Sequence, residues 1–344
     1  METIFKQFVR RLAFLILTLM GTLLFIALVL LTYEGGVDKE EYIENERLFA
    51  EWDAQKLVLD NPMLPDLVRD GYYIVSESAN YIGPNAKEPE QQYAGNTLSC
   101  TNCHLNGGTL SGSASWIGIL DRFPQFRGRE NRIGTIEDRI NGCMERSMNG
   151  IPLPVPSYPM KAIVAYMDWI SSEIPQVNSK IISGYPDIIL PEVAVDLDLG
   201  KQIYTRECLL CHGSDGAGIR FQEKEKGYQY PPLWGEDSYN TGAGMHRVLT
   251  AAAFIKNNMP YLQASWENPK LSDLEAFHVA GYINSFSRPQ KQNTDADFPD
   301  KKLKPISTPY GPWTDDFSPE QHKYGPFPPI VAFYEKTFKL KKTK

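Results

Sequence analysis

Two pentapeptides restrict what this chain can fold into: "CTNCH" at residues 100–104 and "CLLCH" at 208–212. Two thiols three residues apart, followed at once by a histidine, form the attachment signature of a c-type haem. Each thiol adds to one vinyl group of the same porphyrin, and the histidine then falls beneath the iron as proximal ligand. The spacing predicts two covalently bound haem c groups. Cys100, Cys103 and His104 would hold haem 1, and Cys208, Cys211 and His212 would hold haem 2. A structural zinc site needs four ligands in a closed tetrahedron, and each frame offers three. A thioredoxin-like dithiol belongs beside a βαβ pattern, and the sequence carries none.

The segments around the two frames resemble each other. Gly71-Tyr72-Tyr73-Ile74 precedes the first frame and "MKAIVAYMDWISSEIP" follows it. Gly200-Lys201-Gln202-Ile203-Tyr204 precedes the second, and "LEAFHVAGYINSFSRP" follows. That second closing helix opens on a capping box, Ser272 with Glu275. Between the repeats, "SGYPDIILPEVAVDLDLG" has two prolines and no helical period, which marks a boundary near 180–195. A chain of 344 residues has room for two ordinary domains and tails. The expected fold is mainly α: two class I cytochrome c-like domains in tandem behind one N-terminal transmembrane helix. Residues 32–180 would carry haem 1 and the active site, and 190–290 would carry haem 2 for electron transfer. Residues 291–344 would form a C-terminal extension. Its stretch to 329, with "YGPW" and "YGPF", is too aromatic for a disordered linker and is expected to wrap over the domains. The last nine residues hold five lysines and read as a solvated, frayed end.

Residues 12–31 contain no charge. As a helix they would cover roughly the 30 Å hydrocarbon layer. Lys6, Arg10 and Arg11 precede them, so residues 1–11 would stay in the cytoplasm and the rest would cross. The apolar core of a cleaved signal runs ~7–15 residues and ends in an A-x-A-like site. This run is longer and ends "LLTYEGG", so it reads as an uncleaved single-pass anchor with the haem domains in the periplasm or another extracytoplasmic space. Attachment of c-type haem outside the cytoplasm agrees with that orientation. A formal charge of -7 argues against non-specific nucleic-acid binding.

The distal ligands separate the two halves. Met/His ligation is common in c-type cytochromes, and Met259 in "NNMPY" is the expected sixth ligand of haem 2, with Met245 and His246 as rivals. No Met-Pro follows His104. Cys143 does, 39 residues on, and it is the one cysteine outside the two frames. A thiolate is a recognised haem ligand; a free cysteine can also serve as a small buried hydrophobe. Its neighbours Asn141, Gly142, Glu145 and Arg146 make a polar setting. Residues 121–150 hold six arginines and no lysine, a preference that suits an oxyanion. Some of the six must pair with haem propionates or with the five nearby acids.

The segments "YIGPN", "LSCTNCHLNGGT", "RGRENRIGTIEDRINGCMERSMNG", "ECLLCHG" and "QHKYGPFPPI" resemble the dihaem thiosulfate dehydrogenases, which interconvert thiosulfate and tetrathionate. The most specific is "GCMERSMNG". The resemblance covers about residues 70–330. It implies that Cys143 is the distal ligand of haem 1 and the catalytic sulfur, and that Arg129, Arg139 and Ser147 line the substrate pocket. It also implies an external electron carrier, either a small cytochrome c or a membrane redox chain. Some relatives carry a lysine before the haem 2 methionine that exchanges with it; Asn258 stands there in this chain, which argues against such a switch. Two rivals remain at this stage: a membrane-anchored, non-catalytic electron-transfer cytochrome, and a thiosulfate-handling subunit of a sulfur-oxidising complex.

Overall fold

The computed structural model describes residues 2–32, 54–173 and 184–342. They fall into two units, Met1–Glu51 and Trp52–Lys344. In the first, α1 (Glu2–Thr32) contains Val9–Ala27, long and apolar enough to cross a membrane. The sequence after the apolar run reads as a short polar linker, "YEGGVDKEEY", and then a helix in "ERLFAEWDAQKLVLD"; that linker, the front of that helix and the start of the inter-domain segment lie outside the described residues.

The second unit is helix-rich. Its first half is built on α2 (Asp66–Ser76), α3 (Ile136–Met144) and α4 (Tyr158–Glu173). Its second half uses α5 (Leu197–Glu207), α6 (Val248–Asn258) and α7 (Asp273–Ser285). Two small antiparallel hairpins accompany them among the described residues: β1 (Gln125–Arg127) with β2 (Arg132–Gly134), and β3 (Ile219–Arg220) with β4 (Tyr228–Tyr230).

The same helix crossing occurs twice, and a glycine permits it each time. A Cβ at Gly71 on α2 would meet Ala162 O of α4 at 2.1 Å; one at Gly200 on α5 would meet His278 O of α7 at 2.3 Å. With hydrogen in place of a side chain the backbones approach, and aromatic rings close the contact on either side. Tyr72 meets Tyr166 at 5.7 Å, and Tyr204 meets Tyr282 at 5.5 Å. The helix starts are set by local chemistry. Thr135 with Asp138, and Ser272 with Glu275, form complete capping boxes on α3 and α7, and Asp196 accepts the Leu199 N–H at the start of α5. Nine of the eleven residues of α6 are buried, so that helix runs through the core and its two asparagines must find partners inside it.

The two halves share buried polar joints. Asn96 donates to Ser147 O at 2.9 Å and Ser238 O at 3.2 Å, and Asn240 donates to Glu145 O at 2.9 Å. Leu105, next to His104, packs in the core of the second half.

Residues 291–342 treat the two halves differently. Ile306, Phe327, Ile330 and Tyr334 join the second apolar core; α8 (Pro328–Phe338) supplies two of them. Toward the first half, Asp297 reaches Arg129 at 2.7 Å and Arg146 at 3.0 Å. The lysine-rich end differs from the expected frayed tail as far as residue 342. Lys342 lies over the Tyr334 ring at 3.9 Å and donates to Lys302 O at 2.8 Å, because cation–π attraction and orphan carbonyls hold its ammonium.

Candidate active site

Each frame begins as one tight turn. The His104 N–H donates to Cys100 O at 3.0 Å, and the His212 N–H donates to Cys208 O at 3.0 Å. The turn brings both thiols and the imidazole to one cavity. In both histidines Nδ1 lies 2.8 Å from a backbone carbonyl, Ala114 O for His104 and Pro231 O for His212. A carbonyl can only accept, so Nδ1 carries the proton and Nε2 is the ring nitrogen left with a lone pair. A metal-ligating histidine has this arrangement, its other N–H held by a carbonyl that fixes tautomer and orientation.

The first cavity, about 160 Å3, is lined by Cys100, Cys103, His104, Arg139, Cys143 and Ser147, among others. Arg139 and Cys143 stand four residues apart on α3, hence on one face. Arg139 Nη1–H donates to Cys143 Sγ at 2.9 Å, and the His104 ring is the thiol's other polar neighbour. Burial alone would raise the Cys143 thiol, but the Arg139 guanidinium beside it pulls the other way and lowers it. Burial pushes Cys100 up to about 11 and Cys103 up to about 12. Of the three sulfurs, Cys143 alone has a cationic neighbour that favours its thiolate form.

The arginine run divides between structure and cavity. Arg127 pairs with Glu130 at 2.9 Å, Arg132 with Asp138 at 2.7 Å, and Arg129 and Arg146 with Asp297. Arg129 also donates to Gly242 O and lies over the Phe298 ring; it is outside the lining of the first cavity. Arg139 and Ser147 are inside it, with Cys143. Arg122, exposed at the edge, lines it too. Nothing in the spacing of six arginines singles out Arg122; its place follows from the turn after Leu120 and the hairpin β1–β2.

The second cavity, about 440 Å3, is lined by Cys208, Cys211, His212, Met245 and Met259, and Cys103 of the first frame also faces it. His246 is turned elsewhere: its Nδ1–H donates to Thr241 O at 2.9 Å, and burial together with Arg288 pushes its pKa down to about 3. Each cavity therefore offers two thiols at thioether spacing, one imidazole nitrogen and at least one further sulfur, with both Met245 and Met259 facing the second, a donor set that fits haem iron.

Both halves match known families. A model described as "SoxA/TsdA, cytochrome c domain" covers residues 90–175, and one described as "Cytochrome C oxidase, cbb3-type, subunit III" covers 195–283. The chain is a dihaem c-type cytochrome: two tandem cytochrome c domains with two covalently bound haems. A thiosulfate dehydrogenase from Stutzerimonas stutzeri is 39% identical over 229 residues, 67% of this chain and 72% of that protein. One from Allochromatium vinosum is 39% identical over 60% of this chain and 75% of its own length. The chain belongs to the thiosulfate dehydrogenase family. A solved structure titled thiosulfate dehydrogenase (TsdBA), from Marichromatium purpuratum, aligns with a TM-score of 0.59 at 32% identity. That alignment covers 67% of this chain and 49% of the other, about half the length of that chain.

Proposed function

We propose that this chain oxidises two thiosulfates to tetrathionate in the cavity between His104 and Cys143. The observation that carries the reading is the Cys143 thiol, held at 2.9 Å by the Arg139 guanidinium in the same cavity as His104. Cys100 and Cys103 would hold haem 1 through thioethers, with His104 and Cys143 as the residues that would bind its iron. Cys208, Cys211, His212 and Met259 serve haem 2 in the same way. Bound haem supplies a one-electron acceptor at each site, so two haems match the two electrons released.

The Cys143 thiolate and the sulfane sulfur of one thiosulfate form an S–S bond as two electrons leave, giving Cys–S–S–SO3⁻. The sulfane sulfur of a second thiosulfate attacks its counterpart in that adduct. The Cys–S bond breaks, tetrathionate departs and the thiolate returns. No proton is needed in either step. Covalent catalysis divides the joining of two dianions into easier parts. Arg139 offsets charge at the thiolate and the incoming anion; Arg122 and Ser147, which line the same cavity, would steer the sulfonate. Arg129 acts through Asp297, by holding the extension against this half. Run backwards, the same steps reduce tetrathionate.

The apolar helix α1 is a single-pass anchor in the cytoplasmic membrane, with residues 1–11 in the cytoplasm and both haem domains outside it. Electrons leave haem 2 to a small cytochrome c or a membrane redox chain. Protein-film voltammetry on Cys143→Ala tests the chemistry. The variant should keep two haems per chain in a pyridine haemochrome assay and lose the thiosulfate-dependent current. A current near that of the wild type would overturn the covalent mechanism and leave an electron-transfer cytochrome.

A further inference from the structure

The loop after α6 carries Met259, and both of its ends are fastened to one residue of the other haem domain. At the front, Asn258 is 3% exposed; its amide donates to Gly112 O at 3.0 Å and to Phe254 O at 3.0 Å. Its two N–H groups are thus both engaged. At the back, Trp266 packs onto Gly112 so closely that a Cβ there would lie 2.9 Å from the Trp266 Cβ. Gly112 has φ +76, so its backbone conformation as well as its missing side chain suits this joint.

The joint continues toward haem 1. Two residues beyond Gly112, the Ala114 carbonyl accepts the His104 Nδ1–H at 2.8 Å, and the Ala114 N–H donates to Gly184 O at 3.2 Å. Two residues on from Gly184, the Pro186 carbonyl accepts from Asn257 at 2.9 Å. Asn257 and Asn258 therefore bind the end of α6 to the loop that orients the haem 1 histidine, one directly and one through the inter-domain segment.

We propose that Asn258 is a positioning residue that locks the Met259 loop onto Gly112, holding Met259 in the haem 2 cavity and tying that loop to the one that orients His104. The inference rests on Met259 being the haem 2 ligand. The reason is energetic asymmetry: a buried amide with both donors satisfied resists displacement, since moving the loop would strand those donors and Gly112 O without water.

The test uses the full-length dihaem protein and three variants. Asn258→Leu keeps volume and removes both donors, Trp266→Leu loosens the other end, and Met259→Ala is the reference for complete ligand loss. The readouts are the methionine–iron charge-transfer band of ferric haem 2, its reduction potential, and the electron paramagnetic resonance signal of haem 1. Asn258→Leu should weaken or abolish the band, lower the potential, and shift the haem 1 signal, which Met259→Ala should leave unchanged. Trp266→Leu should move the band and the potential in the same direction, and it carries the test if Asn258→Leu does not fold. A wild-type band and potential in every loop variant that folds would overturn the lock. An unmoved haem 1 signal in Asn258→Leu would overturn the tie to His104. Absence of the band from the wild type, with both haems attached, would instead defeat the assignment of Met259 itself.

Discussion

The two haem domains share a plan on one side of the porphyrin and part company on the other. On the proximal side they are near copies: a CxxCH turn closed at 3.0 Å, a histidine Nδ1 held by a carbonyl at 2.8 Å, and a glycine that lets two helices touch. Opposite that plan, the cavity beside His104 holds a thiol under an arginine, whereas the cavity beside His212 is lined by the Met259 thioether, on a loop bolted to the other half. The proximal side attaches and orients, so it tolerates little variation. On the function proposed above, that difference would decide whether the iron meets substrate or merely passes charge. A thiolate beside a guanidinium can react with a sulfur anion, and a thioether cannot form the same adduct.

The sharpest way to break this comparison is to make the first site resemble the second. Cys143→Met should retain both haems and a six-coordinate haem 1, yet lose thiosulfate turnover by on the order of 10³-fold or more. Steady-state kinetics with ferricyanide as acceptor checks it, and activity within tenfold of the wild type would mean that the distal sulfur's identity is not what separates the domains.

The domains also differ in how the C-terminal extension holds them, by ions in the first and apolar contacts in the second. Asp297→Asn should leave Arg129 and Arg146 facing each other without their carboxylate. The expected loss is about 3–5 kcal/mol, the usual result of breaking a buried pair from one side. Urea unfolding followed by haem absorbance measures it; a change below about 1 kcal/mol would show that the ionic seam is dispensable.

The shared proximal plan makes a paired prediction. Gly71→Ala and Gly200→Ala should each cost about 1–3 kcal/mol, because each Cβ meets a carbonyl oxygen at 2.1 or 2.3 Å and the helices must part. Thermal melts monitored at each haem would show whether the damage stays in its own half, as the repeat demands.

A further contrast is a dependence on pH that the second domain carries through a buried histidine. His246 is neutral when folded, with its pKa lowered from 6.5 to about 3 by burial and the Arg288 charge. The unfolded chain binds a proton there that the folded chain refuses, so stability is full above pH 6.5 and falls as the pH drops toward 3. His246→Gln should flatten that slope in acid titrations of stability. An unchanged slope would place the acid sensitivity elsewhere.

Much of this was legible in the chain because it is local. The CxxCH frames, the capping box at Ser272 and Glu275, and the apolar run of α1 each depend on residues within a turn or two, or on one continuous composition. The arginines were less legible. Six in thirty residues announce an anion site or ion pairs, but which serve which purpose turns on carboxylates far along the chain. Arg129 binds Asp297, 168 residues away, and so lies outside the cavity that Arg122 and Arg139 line. The lysine-rich end gave the opposite lesson: composition suggested a frayed tail, while the Tyr334 ring and two carbonyls gather in Lys342.

The sequence by itself determined the number of haems, the residues that attach them and the presence of one surplus thiol, because covalent attachment needs only neighbours at fixed spacing. It also determined the repeat, since each half carries its own glycine and closing helix. Tertiary structure alone decided that the surplus thiol shares a cavity with His104, that Arg129 is drawn to Asp297, and that Asn258 reaches Gly112 in the other half. Those outcomes depend on where helices cross and which buried donors find acceptors, and residues more than a hundred positions apart settle them together.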